Sequence, residues 1–169
     1  MGRLSTKGFS LVELLIVVAI ILIIAAIAIP NLIRSRIAAN EASSVSTLRM
    51  LNNAEVTFAL TFSSGYTENF TRLGPPSSGS QADVNRADLV DPVLAGLGPG
   101  GGPTTFAKSG YTFDYTPIGG SALGAVTSYQ ITAGPLIRGS SGQRSFFTNE
   151  PLLIRFNASA SATVSDAPL

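Results

Sequence analysis

Residues 7–29 read KGFSLVELLIVVAIILIIAAIAI and contain the strongest structural signal in the chain. Sixteen consecutive residues from Leu14 to Ile29 are apolar, and extension back to Phe9 gives 21 residues with a single charge, on Glu13. A helix of 21 residues spans roughly 31 Å, about the thickness of the hydrocarbon core of a bilayer. The sequence therefore predicts a membrane helix. A carboxylate in such a helix costs up to ~2.5–3.5 kcal/mol, less near the interface, so some other group must compensate Glu13.

Two ordinary N-terminal segments fit part of this pattern, a secretory signal peptide and a signal anchor. Ala25-Ala26-Ile27-Ala28 is similar to the small-residue site at which a signal peptide is cut. Cleavage there would leave Glu13 without a purpose inside the apolar region. The position of Glu13 therefore argues against both segments.

Composition excludes several classes of function. The 169 residues suffice for one domain with an appendage, and they include no Cys, His or Trp. Disulfides, Cys/His zinc sites, thiol catalysis and histidine-based catalysis are thereby excluded. A net charge of +1 is not the footprint of a nucleic-acid binder. We identify no catalytic constellation and predict a protein that is not an enzyme and has no cofactor or metal.

The segment Lys7-Gly8-Phe9-Ser10-Leu11-Val12-Glu13-Leu14 resembles the type IV prepilin signature of bacterial pilins and of the related pseudopilins of type II secretion. Four features coincide: a short basic leader with Arg3 and Lys7, the Gly-Phe pair, the acid five residues on, and Pro30. The resemblance covers about residues 1–40. The basic leader also favours a cytoplasmic N-terminus, with the rest of the chain in the periplasm or beyond.

This resemblance implies roles for named residues. A prepilin peptidase cuts between Gly8 and Phe9, removes the leader 1–8 and methylates the new amine of Phe9. Glu13 then pairs with the Phe9 amine of a neighbouring subunit during assembly, in an apolar bundle where a lone charge is costly. The helix dipole also favours an acid at this position, but by only ~0.3–1 kcal/mol. Pro30 either kinks or unwinds the helix when subunits pack, or only marks the exit from the bilayer.

Helical spacing continues beyond Pro30. Residues 48, 51, 55, 58 and 62 alternate in steps of three and four, with Glu55 as a polar interruption. We predict one helix from about Phe9 to Phe62, roughly 81 Å long. Residues 9–35 would form its membrane or filament-core half and 36–62 its amphipathic half.

The remainder predicts a head built on a sheet. Residues 63–108 are expected to form a connecting region, with one short helix within 83–97. Residues 109–169 are expected to form an antiparallel sheet and a tail, with strands near 111–116, 126–133, 145–148 and 152–156. The sheet's apolar face should cover the helix stripe. The fold class is therefore α+β, and the order of helix, loop and meander resembles a pilin head, in which a disulfide commonly closes the C-terminal loop.

Several residues have weaker interpretations. Asn69 and Asn157 begin N-x-[ST] sequences and are candidate glycosylation sites, although chance matches are common. Arg34 and Arg36 are either solvated, the favoured alternative, or paired with Glu41 of a neighbour. Three loop aspartates could form a calcium site like that of secretion pseudopilins, but their spacing fits poorly: Asp83, Asp88 and Asp91.

Three functions follow. The first is a structural subunit of a type IV pilus, with other copies of the chain, minor pilins, the prepilin peptidase, an inner-membrane platform and the lipid bilayer as partners. Pili of this family serve adhesion, twitching motility, biofilm formation and DNA uptake. The second is a type II secretion pseudopilin, and the third a signal-anchored periplasmic binding module that does not polymerise. Glu13 argues against the third, and the lack of a calcium-type acidic cluster favours the first over the second.

Overall fold

The computed structural model describes residues 8–120 and 126–169. Within them lie one long helix, a short 3-10 helix and a five-stranded antiparallel sheet, in that order along the chain. The α+β class with a long N-terminal helix is therefore confirmed. Arg3 and Lys7 of the predicted leader, and residues 121–125 of the predicted loop between two strands, lie outside the described residues.

Helix α1 runs from Leu11 to Phe62. Pro30 is the sole proline in it, and it contains no glycine. It ends where Ser63 adopts a left-handed backbone conformation, with φ of 51°, and donates its N–H to the carbonyl of Ala59 at 3.1 Å. The chain divides into two compact units, Met1–Arg36 and Ile37–Leu169, and α1 contributes residues to both.

The sheet is a simple meander in the unit Ile37–Leu169. Its neighbouring strands are all antiparallel, and they follow chain order: β1 Thr105–Lys108, β2 Tyr111–Ile118, β3 Ser128–Pro135, β4 Ser145–Asn149 and β5 Arg155–Asn157. In the central pair Phe113 lies opposite Ala133, and Tyr115 lies opposite Ile131. Each of these four side chains is buried, as alternation along a half-buried strand requires.

The core of this unit joins α1 to the sheet. The helix contributes its stripe of buried side chains, and the two central strands contribute theirs; together they include Leu48, Leu51, Phe58, Tyr111, Phe113, Tyr129 and Ile131. Tyr129 also donates its hydroxyl to Oδ1 of the buried Asn52 at 3.0 Å, so a helix polar group is satisfied by the sheet. The predicted packing of the sheet's apolar face against the helix stripe is therefore confirmed.

Two expectations about the connecting region 63–108 were wrong. Its last four residues form β1, because Phe106 pairs with Phe113 and its ring stacks on that of Phe113 at 4.7 Å between centroids. The stretch 83–97 forms turns instead of a helix. The carboxylates of Asp83 and Asp91 accept hydrogen bonds from backbone amides two and three residues on. Between them Asp88 adopts a left-handed backbone conformation, which interrupts a right-handed helix. The 3-10 helix lies earlier, at Phe70–Leu73.

The last strand is also shorter than predicted. Leu152 adopts a left-handed backbone conformation, with φ of 62°, in a turn that its N–H closes on the carbonyl of Asn149 at 2.8 Å. This turn delays the start of β5 to Arg155. The chain's final residues then lie beside β5, since Phe156 donates to the carbonyl of Ala167 and Leu169 to that of Ile154. Hydrogen bonds thus fasten a C-terminal tail that cannot form a disulfide.

Candidate functional site

The start of α1 has the glutamate contact of a capping box. Ser10 precedes the first helical residue, and its carbonyl accepts the N–H of Leu14 at 3.2 Å. Three residues on, Oε2 of Glu13 reaches back to accept the N–H of Ser10 at 3.1 Å. This contact satisfies one of the amide donors that every helix N-terminus leaves free. The sequence contains the signal, S-x-x-E, but the capping role of Glu13 was not predicted.

Gly8 and Phe9 precede this cap and are exposed, Phe9 by 79%. A Cβ added at Gly8 would lie within 4 Å of no heavy atom of the described residues. Packing within the chain therefore gives no reason for a glycine at this position. Both residues are open to an enzyme that binds the extended backbone ahead of the helix.

The apolar residues of the first unit cover all sides of the helix. Between Leu11 and Ile33 the large aliphatic side chains are 46–77% exposed. An 18-residue window of α1 has a mean hydropathy of 3.3, so α1 is long and apolar enough to cross a membrane. A helix that is apolar all round needs lipid or other helices around it.

Pro30 lies in the first unit, inside α1, which continues on both sides of it. A proline has no N–H, so the carbonyl of Ala26 loses its helical donor. The next carbonyl along the helix gains a side-chain donor, because Nδ2 of Asn31 donates to the carbonyl of Ile27 at 3.1 Å. Kinking or melting of the helix in a filament, with bilayer exit as the alternative, stays a prediction.

Glu41 has a role that the sequence did not indicate. It is 6% exposed, and its Oε1 accepts the backbone N–H groups of Gln143 and Arg144 at 2.9 and 3.0 Å. Oε2 accepts Nε of Arg144 at 2.8 Å. Arg144 in turn lies over the rings of Phe146 and Phe156. Glu41 thus forms an internal clamp with Gln143 and Arg144, while its suggested pairing with Arg34 or Arg36 of a neighbour stays a prediction.

Electrostatics agrees with this clamp. Burial acts to raise the pKa of Glu41, but the two backbone hydrogen bonds and the guanidinium of Arg144 outweigh it and hold that pKa below its usual range. The hydroxyl of Tyr111 donates to the carbonyl of Arg144 at 2.7 Å. Burial, with a smaller contribution from Glu41, raises the pKa of Tyr111 to about 12. The loop before β4 is thereby held against α1.

Glu55 is fully buried at the other end of the helix stripe. Its two oxygens accept the hydroxyl and the N–H of Thr67, at 2.6 and 3.0 Å. Tyr115 donates its hydroxyl to the carbonyl of Thr67 at 2.7 Å. Neither ion pair among the described residues includes Glu55. Burial therefore raises the pKa of Glu55 to about 7, against the opposing effect of its hydrogen bonds.

The two N-x-[ST] asparagines have structural partners. Nδ2 of Asn157 donates to Oδ1 of Asp166 at 2.8 Å, and its Oδ1 accepts the N–H groups of Ser159 and Ala160. Oδ1 of Asn69 accepts the hydroxyl of Thr71. These bonds organise the tail and the 3-10 helix. Glycosylation at either residue stays a prediction from sequence.

The described residues contain no group of three or more acidic side chains that could hold a metal ion. Of the three loop aspartates, Asp83 and Asp91 hold turns, as described above, and Asp88 lies in a left-handed backbone conformation with φ of 56°. The structure therefore brings together none of the residues that the calcium alternative needed.

Comparisons with known proteins agree with the N-terminal geometry. The family model described as "Prokaryotic N-terminal methylation motif" matches residues 3–29. The chain is 60% identical over 37 residues to the Type IV wide pilus major component PilA4 of Thermus thermophilus. That match covers 22% of this chain and 28% of the relative, so most of each chain lies outside it. No solved structure matches the chain significantly.

The residues that match the methylation motif, 3–29, include the start of a 52-residue helix whose first half is an exposed apolar surface. An antiparallel sheet follows that helix and covers its second half. In this motif, in the 37 residues that it shares with a pilus subunit and in its helix-and-sheet architecture, the chain is similar to type IV pilins.

Proposed function

We propose that the chain is a structural subunit of a type IV pilus, which it enters through the apolar half of α1. The observation that carries this proposal is the accessible Gly8-Phe9 pair directly ahead of a capped, all-round apolar helix with one acid. Before assembly the apolar half lies in the inner membrane and the head in the periplasm. After assembly the same apolar surface is buried among copies of the chain, with loss of the leader and methylation of Phe9 as preceding steps.

Processing is tested by intact mass and N-terminal sequencing of protein isolated from bacterial membranes. We expect a chain that begins at Phe9 with one added methyl group. A chain that begins at Met1 or after Ala28 would contradict the processing step. Peptidase cleavage needs no part of the head, so the result is independent of how the head folds.

Glu13 has two competing roles, which a pair of substitutions separates. Glu13→Gln keeps an oxygen that can accept the Ser10 N–H but removes the charge, whereas Glu13→Val removes both. If Glu13 neutralises the Phe9 amine of a neighbour, both variants should insert in the membrane and fail to assemble, because an unpaired buried charge costs about 3–5 kcal/mol. The readout is filament number by electron microscopy beside the amount of protein in the membrane fraction. Normal filaments from Glu13→Gln alone would leave Glu13 with the capping role only.

The alternatives are distinguished by the product. A secretion pseudopilin carries the same N-terminal features and would give short periplasmic filaments instead of surface fibres. A non-polymerising anchored module would give none. Mass-spectrometric identification of the subunit in sheared surface filaments therefore decides between the pilus and both alternatives.

A further inference from the structure

The loop between β3 and β4 exposes two neighbouring aliphatic side chains. Leu136 is 57% exposed and Ile137 is 66% exposed, although both belong to a folded loop. The loop is held in shape by its own hydrogen bonds, since Ser141 donates its N–H to the carbonyl of Ile137 at 2.9 Å and Ile137 donates its N–H to Oγ of Ser141 at 3.0 Å. Leu136 donates to the carbonyl of Gly110 at 2.9 Å. These hydrogen bonds fix the backbone of the loop, so Leu136 and Ile137 have a defined position on the surface of the head.

That place is the end of the head at which the chain enters from the apolar segment. Nδ2 of Asn40 donates to the carbonyl of Ser141 at 2.7 Å, only three residues after the unit Ile37–Leu169 begins. The hairpin turn between β1 and β2 lies at the same end, because Ser43 donates its hydroxyl to that of Ser109 at 3.0 Å. In the sequence, the last aliphatic side chain of the predicted membrane half 9–35 belongs to Ile33, seven residues before Asn40. The loop tip therefore lies beside the residues with which this unit begins.

The charge next to the tip suits an anionic lipid surface. The guanidinium of Arg138 donates to the carbonyls of Ala158 and Ala160 at 2.9 and 3.1 Å, and to that of Gln143. All three acceptors are neutral, so the positive charge is not compensated by them. Glu41 is already neutralised by Arg144. An exposed aliphatic pair beside a cation is the combination that binds the interface of a bilayer containing anionic phospholipid.

We propose that Leu136 and Ile137 insert into the outer surface of the inner membrane while the subunit is in its membrane-anchored state. This inference rests on the proposed function, which places α1 in that membrane. The two side chains hold one end of the head at the headgroup level, and Arg138 meets lipid phosphate. Extraction of the subunit into a filament then has to remove this contact together with the helix.

A tryptophan placed at the tip tests the contact, because the chain has no tryptophan of its own. The full mature chain carrying Ile137→Trp is reconstituted into vesicles of phosphatidylethanolamine and phosphatidylglycerol, with or without bromine on the acyl chains. Leu60→Trp is the matched control. Leu60 is 77% exposed and lies about 30 Å along α1 from Asn40. Circular dichroism verifies the fold of both, and Leu136→Trp replaces the probe if Ile137→Trp does not fold.

We expect blue-shifted emission and quenching by brominated lipid for the probe at the tip, independent of the protein-to-lipid ratio, and neither effect at position 60. Replacement of Leu136 by Ser should weaken the quenching. Emission of a water-exposed indole at position 137 in chains that float with the vesicles would overturn the inference alone. Equal quenching at positions 137 and 60 would also overturn it. A blue shift at position 137 that grows with the protein-to-lipid ratio, without quenching, would overturn it too, because such a shift indicates contact with a second copy of the chain. Chains that do not float with the vesicles would overturn both the inference and the proposed membrane anchoring.

Discussion

At the scale of single residues, Glu55 is the group in the head whose ionisation changes nearest neutral pH. It is fully buried between α1 and Thr67, and Tyr115 and Tyr129 lie on the sheet side of the same region. These neighbours contribute hydroxyl groups and no positive charge. Two hydrogen bonds from Thr67 stabilise the ionised form of Glu55 and lower its pKa, but burial raises the pKa by more.

Stability of the head should consequently depend on pH through Glu55. Its pKa is about 7 in the folded head against 4.5 when unfolded, so the folded state binds the proton more tightly. Its stabilising contribution is complete below pH 4.5, declines as pH rises through 7 and is absent above that, with an upper limit of about 3 kcal/mol. Urea unfolding between pH 4.5 and 8.5 measures this slope.

Glu55→Gln should remove that slope, since the amide cannot ionise and still has an acceptor for Thr67. A Glu150→Gln variant, with an exposed acid on the turn after β4, is the control and should keep the slope. Below pH 4.5 stability falls in either variant, because the pKa of Glu41 is held below its usual value and its clamp is lost on protonation. An unchanged slope in Glu55→Gln would contradict the assignment.

Ser44 offers a second test at this scale. It is 1% exposed on α1, and its Oγ has no hydrogen-bond partner within the described part of the chain. Ser44→Ala should stabilise the head, whereas the same change at the exposed Ser46 alters helix propensity equally and removes no buried hydroxyl. We expect the unfolding free energy of Ser44→Ala to be about 1 kcal/mol higher than that of Ser46→Ala. Equal effects would mean that water satisfies the hydroxyl of Ser44.

At the scale of elements, α1 holds the head through polar contacts at both ends of its buried stripe. Glu41 fastens the loop before β4, and Glu55 fastens the segment after the helix. In both contacts the donors are backbone N–H groups of loop residues, which are not hydrogen-bonded to a neighbouring strand. Helix α1 thus packs its apolar side chains into the core and also provides carboxylate acceptors for the amides of two loops.

Loss of the Glu41 charge should therefore loosen one particular loop. Glu41→Gln is expected to lower the unfolding free energy by about 1–2 kcal/mol, because two amides and the Arg144 guanidinium share the buried carboxylate. The matched control is Glu68→Gln, which breaks the exposed pair with Arg72 and should cost less than about 0.5 kcal/mol. Hydrogen exchange at Gln143 and Arg144 should rise in the first variant alone. Equal costs for the two pairs would show that Glu41 is solvated in solution.

At the scale of the whole molecule, the two units have different requirements. Every member of the buried core belongs to the unit Ile37–Leu169, while the unit ending at Arg36 exposes its apolar side chains. The second unit accordingly contains all of the packing that it needs. The first requires lipid or other helices.

A fragment that begins at Arg36 should therefore be soluble, monomeric and folded, whereas the mature chain should need detergent or assembly. Circular dichroism and size-exclusion chromatography measure both properties. A control that begins at Leu51 removes Val45 and Leu48 from the core and should not fold. An unfolded fragment from Arg36 would contradict the division of α1 into an apolar half and a core half.

Local patterns predicted the architecture well. The apolar run, the absence of breakers from Asn31 to Phe62 and the strand alternation each lie within a short window, and each fixes its element with little help from the rest of the chain. Strand β1 was missed because Thr105–Lys108 is too short to show alternation and depends on pairing with β2. The helix predicted within 83–97 does not form because Asp88 and Gly96 adopt left-handed backbone conformations, which a right-handed helix cannot contain.

The N-terminal motif, the membrane-length helix and the strands of the meander could be predicted from the sequence, since each is a periodic or contiguous feature that needs no tertiary partner. The roles of the buried acids depend instead on the tertiary structure. Glu41 meets Gln143 and Arg144 about a hundred residues later, and the partner of Glu55 lies beyond the helix end. A carboxylate on a helix stripe looks like an interruption in sequence. When folding brings backbone amides to it, the carboxylate holds a loop in place. Burial of the carboxylate without such donors would cost more free energy than the packing of its side chain contributes.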